Sequence, residues 1–488
     1  METRIKNKEL ESKIMDPLNA VRLFVSKKAL VAFGGMGGQS VPKLIPDAIA
    51  RLEESEDMNF SLTVFTGGSG TPRFENDLSK VSVPRRYYYL SGNYFRERVN
   101  HRDTEFFDYW VSEYSRFIRD GTITRGRMLD LTVIEATAID ENGNIVPSLS
   151  VDSSAAFIES SKKVIIEVNE SKPILNGLHD IYLPEYGKPI HIVNVLDRIG
   201  NPTIKIPKSK IAAIVISSEK EEAGGSYRAV DENDFKIAKN ISSFLEGEYY
   251  RGFLQQRNPI QLGAGPVASA VMSTLTMEHL QIWSEIIPAK WFNSLGTKVD
   301  SISASALYTI QGEESYLDYL FDNMDFAKKH IVLRPNEVTN SAEVIQRLGV
   351  VAVQQAIEID IFGAANVSHI NGMIHNGVGG SGDFTRAARL VIVALPSTAS
   401  NEGYSRIVPM LLNTDIPKQD IDVVITEYGV ADLRGFSPRE RAKEIIEKCS
   451  HPKYKDILLR YYEKAFSKNG HIPVDLEAVL EFSKSEKP

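Results

Sequence analysis

Residues 371–386 read NGMIHNGVGGSGDFTR, and this segment decides more about the fold than any other part of the chain. Five glycines fall within eleven residues, so side chains do not crowd the backbone N–H groups of the turn. The residues that follow have the pattern of a helix start. The segment predicts a turn that can cradle an anion or stabilise an oxyanion, although a plain tight turn has the same pattern.

A second segment, residues 426–435, reads TEYGVADLRG and follows some forty residues later. The glycine-rich turn before it is neither a dinucleotide fingerprint nor a phosphate-binding loop. No Lys follows its glycines, and Asp383 stands where it would repel a phosphate. The pattern therefore argues against a dehydrogenase and against a nucleoside triphosphatase.

Short apolar runs alternate with helical patterns along the whole chain. Apolar residues recur at helical spacing in residues 41–52 and 342–359. The alternation predicts an α/β fold with mainly parallel sheets that helices cover on both faces. The predicted strands are rich in β-formers and end at turn residues; they are residues 29–33, 61–65, 164–168, 211–216, 280–287, 330–333, 390–395 and 423–427.

The two halves of the chain begin alike. Residues 30–38 pass from an apolar run through glycines towards a helix, and residues 260–267 do the same. A chain of 488 residues is also too long for one ordinary core. We therefore expect two related open α/β domains, residues 1–225 and 226–488, with the polar run 217–226 as their linker.

Composition limits the partners and the compartment. The net charge of −8 and the isoelectric point near 5.7 argue against nucleic-acid and anionic-membrane partners, because both need a concentrated basic face. Cys449 is the only cysteine, which excludes an intramolecular disulfide and cysteine-based zinc sites. His369 and His375 lack carboxylates or thiolates at zinc spacing, and no apolar run has bilayer length. We expect a cytoplasmic homodimer without a metal or a membrane partner.

Four segments together resemble the acetyl-CoA hydrolase/transferase family of class I CoA-transferases. They are the glycine turn at 34–38, NSAEVI at 340–345, GGSGDF at 379–384 and EYGVADLRG at 427–435. The resemblance runs from about residue 17 to about residue 465. Within the family, the order of segments is most similar to the succinyl-CoA:acetate CoA-transferases.

The resemblance implies that Glu285 is the catalytic nucleophile. This residue stands in IWSEI at 282–286, about twenty residues after the Gly263-Ala264-Gly265 turn, where the family places its glutamate. On pattern alone, the same carboxylate is typical of a surface residue at a strand end. In the implied ping-pong mechanism, Glu285 forms a mixed anhydride and then a glutamyl-CoA thioester, without a metal, a prosthetic group or a redox cofactor.

Further site residues follow from the family pattern. The backbone N–H groups of Ala264 and Gly380 are implied to form the oxyanion hole. Asn340 is implied to position the glutamyl carbonyl, although a helix N-cap before Ser341 would look the same. Glu427 is implied to support the active centre, although a solvent carboxylate at a strand end also fits. The implied CoA-binding residues are Gly263, Ala264, Gly265, Asn376, Gly379 and Gly380.

Two departures from the family pattern concern the substrates. Relatives usually carry a Lys that meets a CoA phosphate where this chain has Ser400, and Arg386 and Arg389 are candidates to replace it. The polar and acidic residues that usually follow the nucleophile are replaced by Ile-Pro-Ala-Lys at 287–290. The acyl specificity therefore stays open.

The resemblance implies a CoA-transferase that moves CoA between short-chain carboxylic acids, with acyl-CoA as a substrate and succinyl-CoA and acetate as the expected pair. The alternative with the same chemistry is an acetyl-CoA hydrolase, in which water intercepts the thioester. The alternative of another class is a non-catalytic regulatory protein that binds CoA thioesters or sugar phosphates. The carboxylate of Glu285 argues against this last alternative, because a pure binder has no use for a charge beside two oxyanion loops.

Overall fold

The computed structural model describes residues 4–68, 70–90, 92–221, 228–309, 313 and 315–485. Residues 222–226 of the predicted linker lie outside this part of the chain, and so does the predicted domain boundary, which stays a prediction. The strands are β1 (Leu30–Phe33), β2 (Ser61–Thr66), β3 (Ser82–Tyr87), β4 (Glu105–Phe107), β5 (Leu129–Ile139), β6 (Ile145–Pro147), β7 (Ser161–Asn169), β8 (Ile211–Ser217), β9 (Ile260–Leu262), β10 (Leu280–Trp283), β11 (Ile286–Pro288), β12 (Val299–Ala304), β13 (Ala306–Tyr308), β14 (Ile331–Leu333), β15 (Val351–Gln355), β16 (Glu358–Asp360), β17 (Ala365–Asn366), β18 (His369–Ile370), β19 (Met373–Ile374), β20 (Leu390–Ala394), β21 (Thr398–Ala399), β22 (Tyr404–Ser405), β23 (Ile407–Val408), β24 (Val423–Ile425) and β25 (Val430–Asp432).

Helices connect most of these strands. Among the described helices, none combines the length and the apolar character that crossing a bilayer requires. The α-helices are α1 (Pro17–Phe24), α2 (Leu44–Glu56), α3 (Pro72–Ser79), α4 (Asn93–Asn100), α5 (Val111–Arg119), α6 (Ser154–Glu159), α7 (Glu232–Tyr250), α8 (Pro266–Thr274), α9 (Ser315–Asp322), α10 (Met324–His330), α11 (Asn336–Thr339), α12 (Ala342–Leu348), α13 (Ser381–Thr385), α14 (Pro438–Cys449), α15 (Pro452–Phe466) and α16 (Leu476–Ser485), with 3-10 helices at Lys8–Lys13, Lys208–Lys210, Ala289–Ser294 and Lys418–Asp420.

The chain forms two compact units, and neither is one continuous segment. The first unit comprises Met1–Ser226, Gln281–Leu348 and His375–Gly380. The second unit comprises Tyr227–Leu280, Gly349–Ile374 and Ser381–Pro488. The glycine segment identified in the sequence is thus divided between the units twice, after Ile374 and again after Gly380.

An eight-stranded sheet forms the centre of the first unit. Its order is β4-β3-β2-β1-β5-β7-β8, and β6 pairs with β5. The seven strands along this order run parallel, and β6 is antiparallel to β5. β1 is buried at all four positions because helices cover the sheet, which explains its unbroken apolar run. The predicted α/β fold with mainly parallel sheets is confirmed here.

The chain order reverses direction between β1 and β5, where the glycine turn at residues 34–38 follows β1. This turn packs around a buried carboxylate. Asp152 accepts the backbone N–H of Gly35 at 2.8 Å and the hydroxyl of Ser154 at 3.1 Å. A Cβ atom on Gly34 would lie 2.5 Å from the Ser154 hydroxyl, and one on Gly67 would overlap Asp152. The glycines therefore make room for protein side chains at this turn.

The first unit also contains two pairs of parallel strands, β12 with β14 and β11 with β13. In the second unit, β9, β15, β20 and β24 are parallel neighbours, and β25 closes the edge antiparallel to β24. A buried cluster in the second unit joins β20 and β24 to α14 and α15; it includes Val391, Val393, Val424, Ile445, Ile446 and Leu458.

Two sequence predictions of secondary structure are wrong in part. The helix predicted over 342–359 ends at Leu348, because Gly349 adopts a left-handed φ of +65°. The β-branched residues that follow form β15, which is hydrogen-bonded to β9 and β20. The strand predicted over 280–287 is interrupted after Trp283, so Glu285 lies between β10 and β11.

Candidate active site

Glu285 lies in the break between β10 and β11, in the first unit. Its carbonyl accepts the backbone N–H groups of Ser305 at 2.8 Å and Ala306 at 3.2 Å. Its side chain is part-exposed, whereas Trp283, two residues earlier, is fully buried. The backbone is therefore fixed while the carboxylate stays open to a ligand.

Asn340 meets this carboxylate. It is fully buried at the C-terminal end of α11, and its Nδ2 donates to Oε2 of Glu285 at 2.8 Å. α12 begins two residues later, at Ala342. A neutral donor at this distance holds one oxygen of the carboxylate.

Gly380 approaches the same two groups. A Cβ atom at this position would overlap Oε2 of Glu285 and Nδ2 of Asn340. The backbone of the glycine loop therefore passes directly against the carboxylate, and every other residue type would displace it. Three residues that the sequence analysis selected from separate motifs come together here.

The loop that carries Gly380 rests on the segments that follow β4 and β3. Val378 donates its backbone N–H to Oδ2 of Asp108 at 2.9 Å, and Gly377 donates to the carbonyl of Leu90 at 3.1 Å. A Cβ atom on Gly379, which has a φ of +60°, would lie 3.4 Å from the Tyr89 ring. Contacts that no local sequence motif predicts thus hold the loop in place.

Asn376 begins this loop, and its Nδ2 donates to the carbonyl of Gly377 at 3.0 Å. The predicted CoA-binding residues Asn376, Gly379 and Gly380 therefore lie on one short segment of the first unit. The adjacent pair Gly379 and Gly380 ends this segment, and both residues are buried.

The four-residue helix α11, which ends next to Asn340, is fixed by polar side chains. Asn336 donates to the Ser153 hydroxyl at 3.0 Å and accepts from the Ser115 hydroxyl at 2.8 Å. Glu337 pairs with Arg119 at 2.7 Å. Burial raises the pKa of the Glu337 carboxyl to about 7, and the Arg119 charge opposes this rise. These contacts fix where α11 ends and hence where Asn340 stands.

The turn Gly263-Ala264-Gly265 lies in the second unit, between β9 and α8. Gln355 on β15 donates its Nε2 to the carbonyl of Ala264 at 2.8 Å. Gly265 has a φ of +122° and is the N-cap residue of α8. The predicted passage from strand through glycines into helix is confirmed, and the Ala264 peptide is held by a side chain of the neighbouring strand.

Glu427 follows β24 in the second unit and is half-buried. Its carboxylate accepts the backbone N–H of Ser397 at 2.9 Å and the Ser397 hydroxyl at 2.5 Å. The carboxylate therefore ties the segment after β24 to the segment after β20. Within the second unit this is an anchoring role, and it goes beyond that of a solvent carboxylate.

The turn that carries Ser400 connects β21 and β22. Ser400, Asn401 and Glu402 all have left-handed φ values, between +51° and +65°. The Glu402 carbonyl accepts from the Lys453 ammonium at 2.8 Å. Arg389, one of the two predicted replacements for the family's Lys, donates to the carbonyl of Phe253 at 2.7 Å, whereas Arg386 is exposed.

Across the described ranges, no group of three or more His, Cys, Asp or Glu side chains is arranged to hold a metal ion. Cys449 is buried, and burial raises the pKa of its thiol to about 12. A thiol in that state is a poor nucleophile.

Comparison with known proteins identifies the family of the chain. The N-terminal domain of the acetyl-CoA hydrolase/transferase family matches residues 1–217, and the C-terminal domain of that family matches residues 317–462. The chain is 35% identical to the succinyl-CoA:acetate CoA-transferase of Clostridium kluyveri, over 98% of this chain and 90% of that protein. It is 34% identical to the acetyl-CoA hydrolase of Yarrowia lipolytica, over 95% of this chain and 92% of that protein.

The solved structure of RipA from Yersinia pestis has the same fold. The TM-score is 0.73 at 21% sequence identity, with 93% of this chain and 98% of that chain covered. The likeness extends over nearly the whole length of both proteins.

Proposed function

We propose that this chain, which belongs to the acetyl-CoA hydrolase/transferase family, moves CoA between short-chain carboxylic acids. The proposed substrate pair is succinyl-CoA and acetate. Membership makes the chain an enzyme that acts on CoA thioesters. The observation that carries the proposal is the carboxylate of Glu285, held by Asn340 at 2.8 Å and directly against the backbone of Gly380.

The proposed reaction begins when the Glu285 carboxylate attacks the acyl carbonyl of the donor thioester. The C–S bond breaks, CoA leaves as a thiolate, and a mixed anhydride remains. The thiolate then attacks the glutamyl carbonyl, which releases the first acid as a carboxylate and leaves a glutamyl-CoA thioester. A second carboxylate runs the same steps in reverse, so the reaction is ping-pong and the free Glu285 carboxylate is regenerated.

Each of these steps places a negative charge on a tetrahedral oxygen. The backbone N–H of Gly380 is the proposed donor to that oxygen in the first unit, and the N–H of Ala264 is the proposed second donor. The amide of Asn340 keeps the glutamyl group in one orientation through the sequence of attacks. Loss of one oxyanion donor costs roughly 3 kcal/mol of transition-state stabilisation.

Glu427 is proposed to support the active centre, and the turn at 263–265 with Asn376, Gly379 and Gly380 is proposed to contact CoA. Support for the loop residues comes from the position of Gly380 against Glu285. A cytoplasmic location and a homodimeric state stay predictions from composition and size.

The experiment that tests the nucleophile uses acyl-CoA without an acceptor. We expect a protein adduct heavier by one CoA less one water, which borohydride traps at Glu285. Glu285→Ala and Glu285→Asp lose turnover, since shortening the arm withdraws the carboxylate by about 1 Å and catalysis tolerates little misplacement. Glu278→Gln, at an exposed position, is the matched control. An adduct at another residue, or an active Glu285→Ala enzyme, would overturn the assignment.

Acetyl-CoA hydrolase is the second candidate function. It is favoured by the relative of that name, which is 34% identical over 95% of this chain. Hydrolysis uses the same glutamyl-CoA thioester, with water in place of the second acid. The two candidates therefore differ in how well the site excludes water from the glutamyl-CoA thioester. The absence of both the adduct and turnover would instead favour the regulatory binding protein.

A further inference from the structure

The amide of Asn340 has two chemically different ends, and only one of them suits Glu285. The NH2 group donates to a carboxylate, whereas the carbonyl oxygen would repel it. After the thioester forms, the glutamyl carbonyl still needs a donor. The amide must therefore present the same end to Glu285 throughout the reaction.

The hydroxyl of Thr339 contacts the carbonyl oxygen of this amide. Its Oγ1 donates to Oδ1 of Asn340 at 2.9 Å, while Nδ2 of Asn340 donates to Oε2 of Glu285 at 2.8 Å. Both Thr339 and Asn340 are fully buried, so water does not replace either contact. A donor on the amide oxygen also polarises the amide and strengthens the hydrogen bond that its NH2 group makes.

Trp283 fixes the peptide that carries this hydroxyl. Its indole Nε1 donates to the carbonyl of Thr339 at 2.7 Å, and the ring is fully buried. The guanidinium of Arg334 lies 5.5 Å from the centre of the Trp283 ring and is itself buried. Because Trp283 ends β10 and precedes Glu285 by two residues, the segment that leads into the carboxylate also holds the end of α11.

The contacts form a closed circuit inside the first unit. It runs from Trp283 to the Thr339 carbonyl, through the Thr339 hydroxyl to the Asn340 amide, and from there to Glu285. From this circuit we infer that Thr339 is a positioning residue, whose hydroxyl keeps the Asn340 amide turned towards Glu285, with Trp283 as its support. The inference rests on the proposed role of Glu285 as the nucleophile.

The test replaces Thr339 with Val, which keeps the shape of the side chain and removes the hydroxyl. We expect kcat to fall by about fivefold to tenfold, the usual effect of one neutral hydrogen bond, while KM for acyl-CoA stays within about twofold. Thr339→Ser retains the hydroxyl and restores most of the lost rate. Thr132→Val is the matched control, because Thr132 is equally buried and its hydroxyl donates to the carbonyl of Phe157, at 3.2 Å, away from Glu285 and Asn340.

A second measurement separates positioning from general loss of stability. In an Asn340→Ala background, Thr339→Val should cause no further loss of kcat, since the hydroxyl acts through the missing amide. An equal loss in both backgrounds overturns the inference, and so does a Thr339→Ser enzyme as slow as Thr339→Val. If Thr339→Val does not fold, the Thr339→Ala variant, which also lacks the hydroxyl, replaces it in both backgrounds with the same expected outcomes.

The nucleophile assignment is tested separately by the borohydride adduct. An enzyme that forms the adduct at Glu285 but is unchanged by Thr339→Val overturns the inference and leaves the proposed function in place. An enzyme without an adduct at Glu285 overturns the proposed function itself.

Discussion

The backbone of Gly380 lies so close to Glu285 that a Cβ atom on the glycine would overlap Oε2 of the glutamate. Gly380→Ala therefore displaces the carboxylate, and we expect kcat to fall by about 100-fold or more, because catalysis tolerates little misplacement of a nucleophile. The measurement is steady-state transfer, together with the yield of the borohydride-trapped adduct. Gly247→Ala on α7 is the control, since among the described residues no atom other than those of its chain neighbours and of the adjacent helix backbone lies within 4 Å of the position that its new methyl group would take.

Wild-type activity in Gly380→Ala would show that the loop can move away from the carboxylate without loss. That result would remove the central support for the proposed active site.

The family pattern implies a phosphate-binding Lys at the position of Ser400, so Ser400→Lys should lower KM for acyl-CoA. We expect turnover to stay nearly unchanged, because the phosphate lies far from the reacting carbonyl and contributes uniform binding. The gain should shrink with rising salt, as for any exposed charge pair. Ser400→Gln lengthens the side chain without charge and serves as the control. An unchanged KM in Ser400→Lys would mean that another basic residue already meets the phosphate.

Asp152 predicts a pH dependence of stability. Burial raises the pKa of its carboxyl to about 6, whereas an unfolded Asp titrates near 4. The neutral form is therefore favoured by the fold, and this contribution is present below about pH 4 and is lost as the pH rises to about 6. The shift of roughly two pKa units corresponds to about 3 kcal/mol.

The Asp152→Asn variant cannot ionise at this position. The Tm of the variant minus the Tm of the wild type should therefore increase as the pH rises from 4 to 7. Thermal unfolding at both pH values measures this difference, and Asp318→Asn, at an exposed position, corrects for general effects. A constant Tm difference between the two pH values would contradict the prediction.

Transfer and hydrolysis differ in the access of water to the glutamyl-CoA thioester. Trp283 and Ile287 flank Glu285 and are fully buried, whereas Ile286 is half-buried. These apolar neighbours support a site that excludes water. We expect CoA release without added acid to run at least ~100-fold slower than transfer to acetate, a gap of about 2.7 kcal/mol in barrier. Equal rates with and without acetate would favour the hydrolase.

The sequence predicts the residues proposed for the chemistry of the site better than it predicts the residues that hold them in place. Gly380 and the turn at 263–265 are recognisable because glycine clusters are local signals, and Glu285 and Asn340 lie in short motifs. Asp108 and Thr339 carry no such signal. Their roles depend on contacts with residues far away in the chain or on the orientation of a neighbouring amide, which spacing does not encode.

Secondary structure shows the same difference. The strands β1, β2, β7 and β8 of the first sheet contain apolar runs rich in β-formers, so the sequence predicts them. The predicted strands do not include β3, which reads SVPRRY, or the three-residue β4, because neither has such a run, and they do not include β5. The helix predicted over 342–359 fails because apolar residues continue past Gly349, and only the pairing of β15 with β9 and β20 favours a strand there. A periodic pattern cannot show which neighbours will supply hydrogen bonds.

The division of the chain into interleaved segments sets the order in which the active site can assemble during synthesis. The first unit needs His375–Gly380 as its last segment, and the preceding Gly349–Ile374 belongs to the other unit. A nascent chain that has emerged only as far as Leu348 therefore holds Glu285 without the loop that meets it. The chain must be synthesised through Gly380 before the loop can meet Glu285. A chain truncated before that residue is therefore expected to be partly folded and inactive.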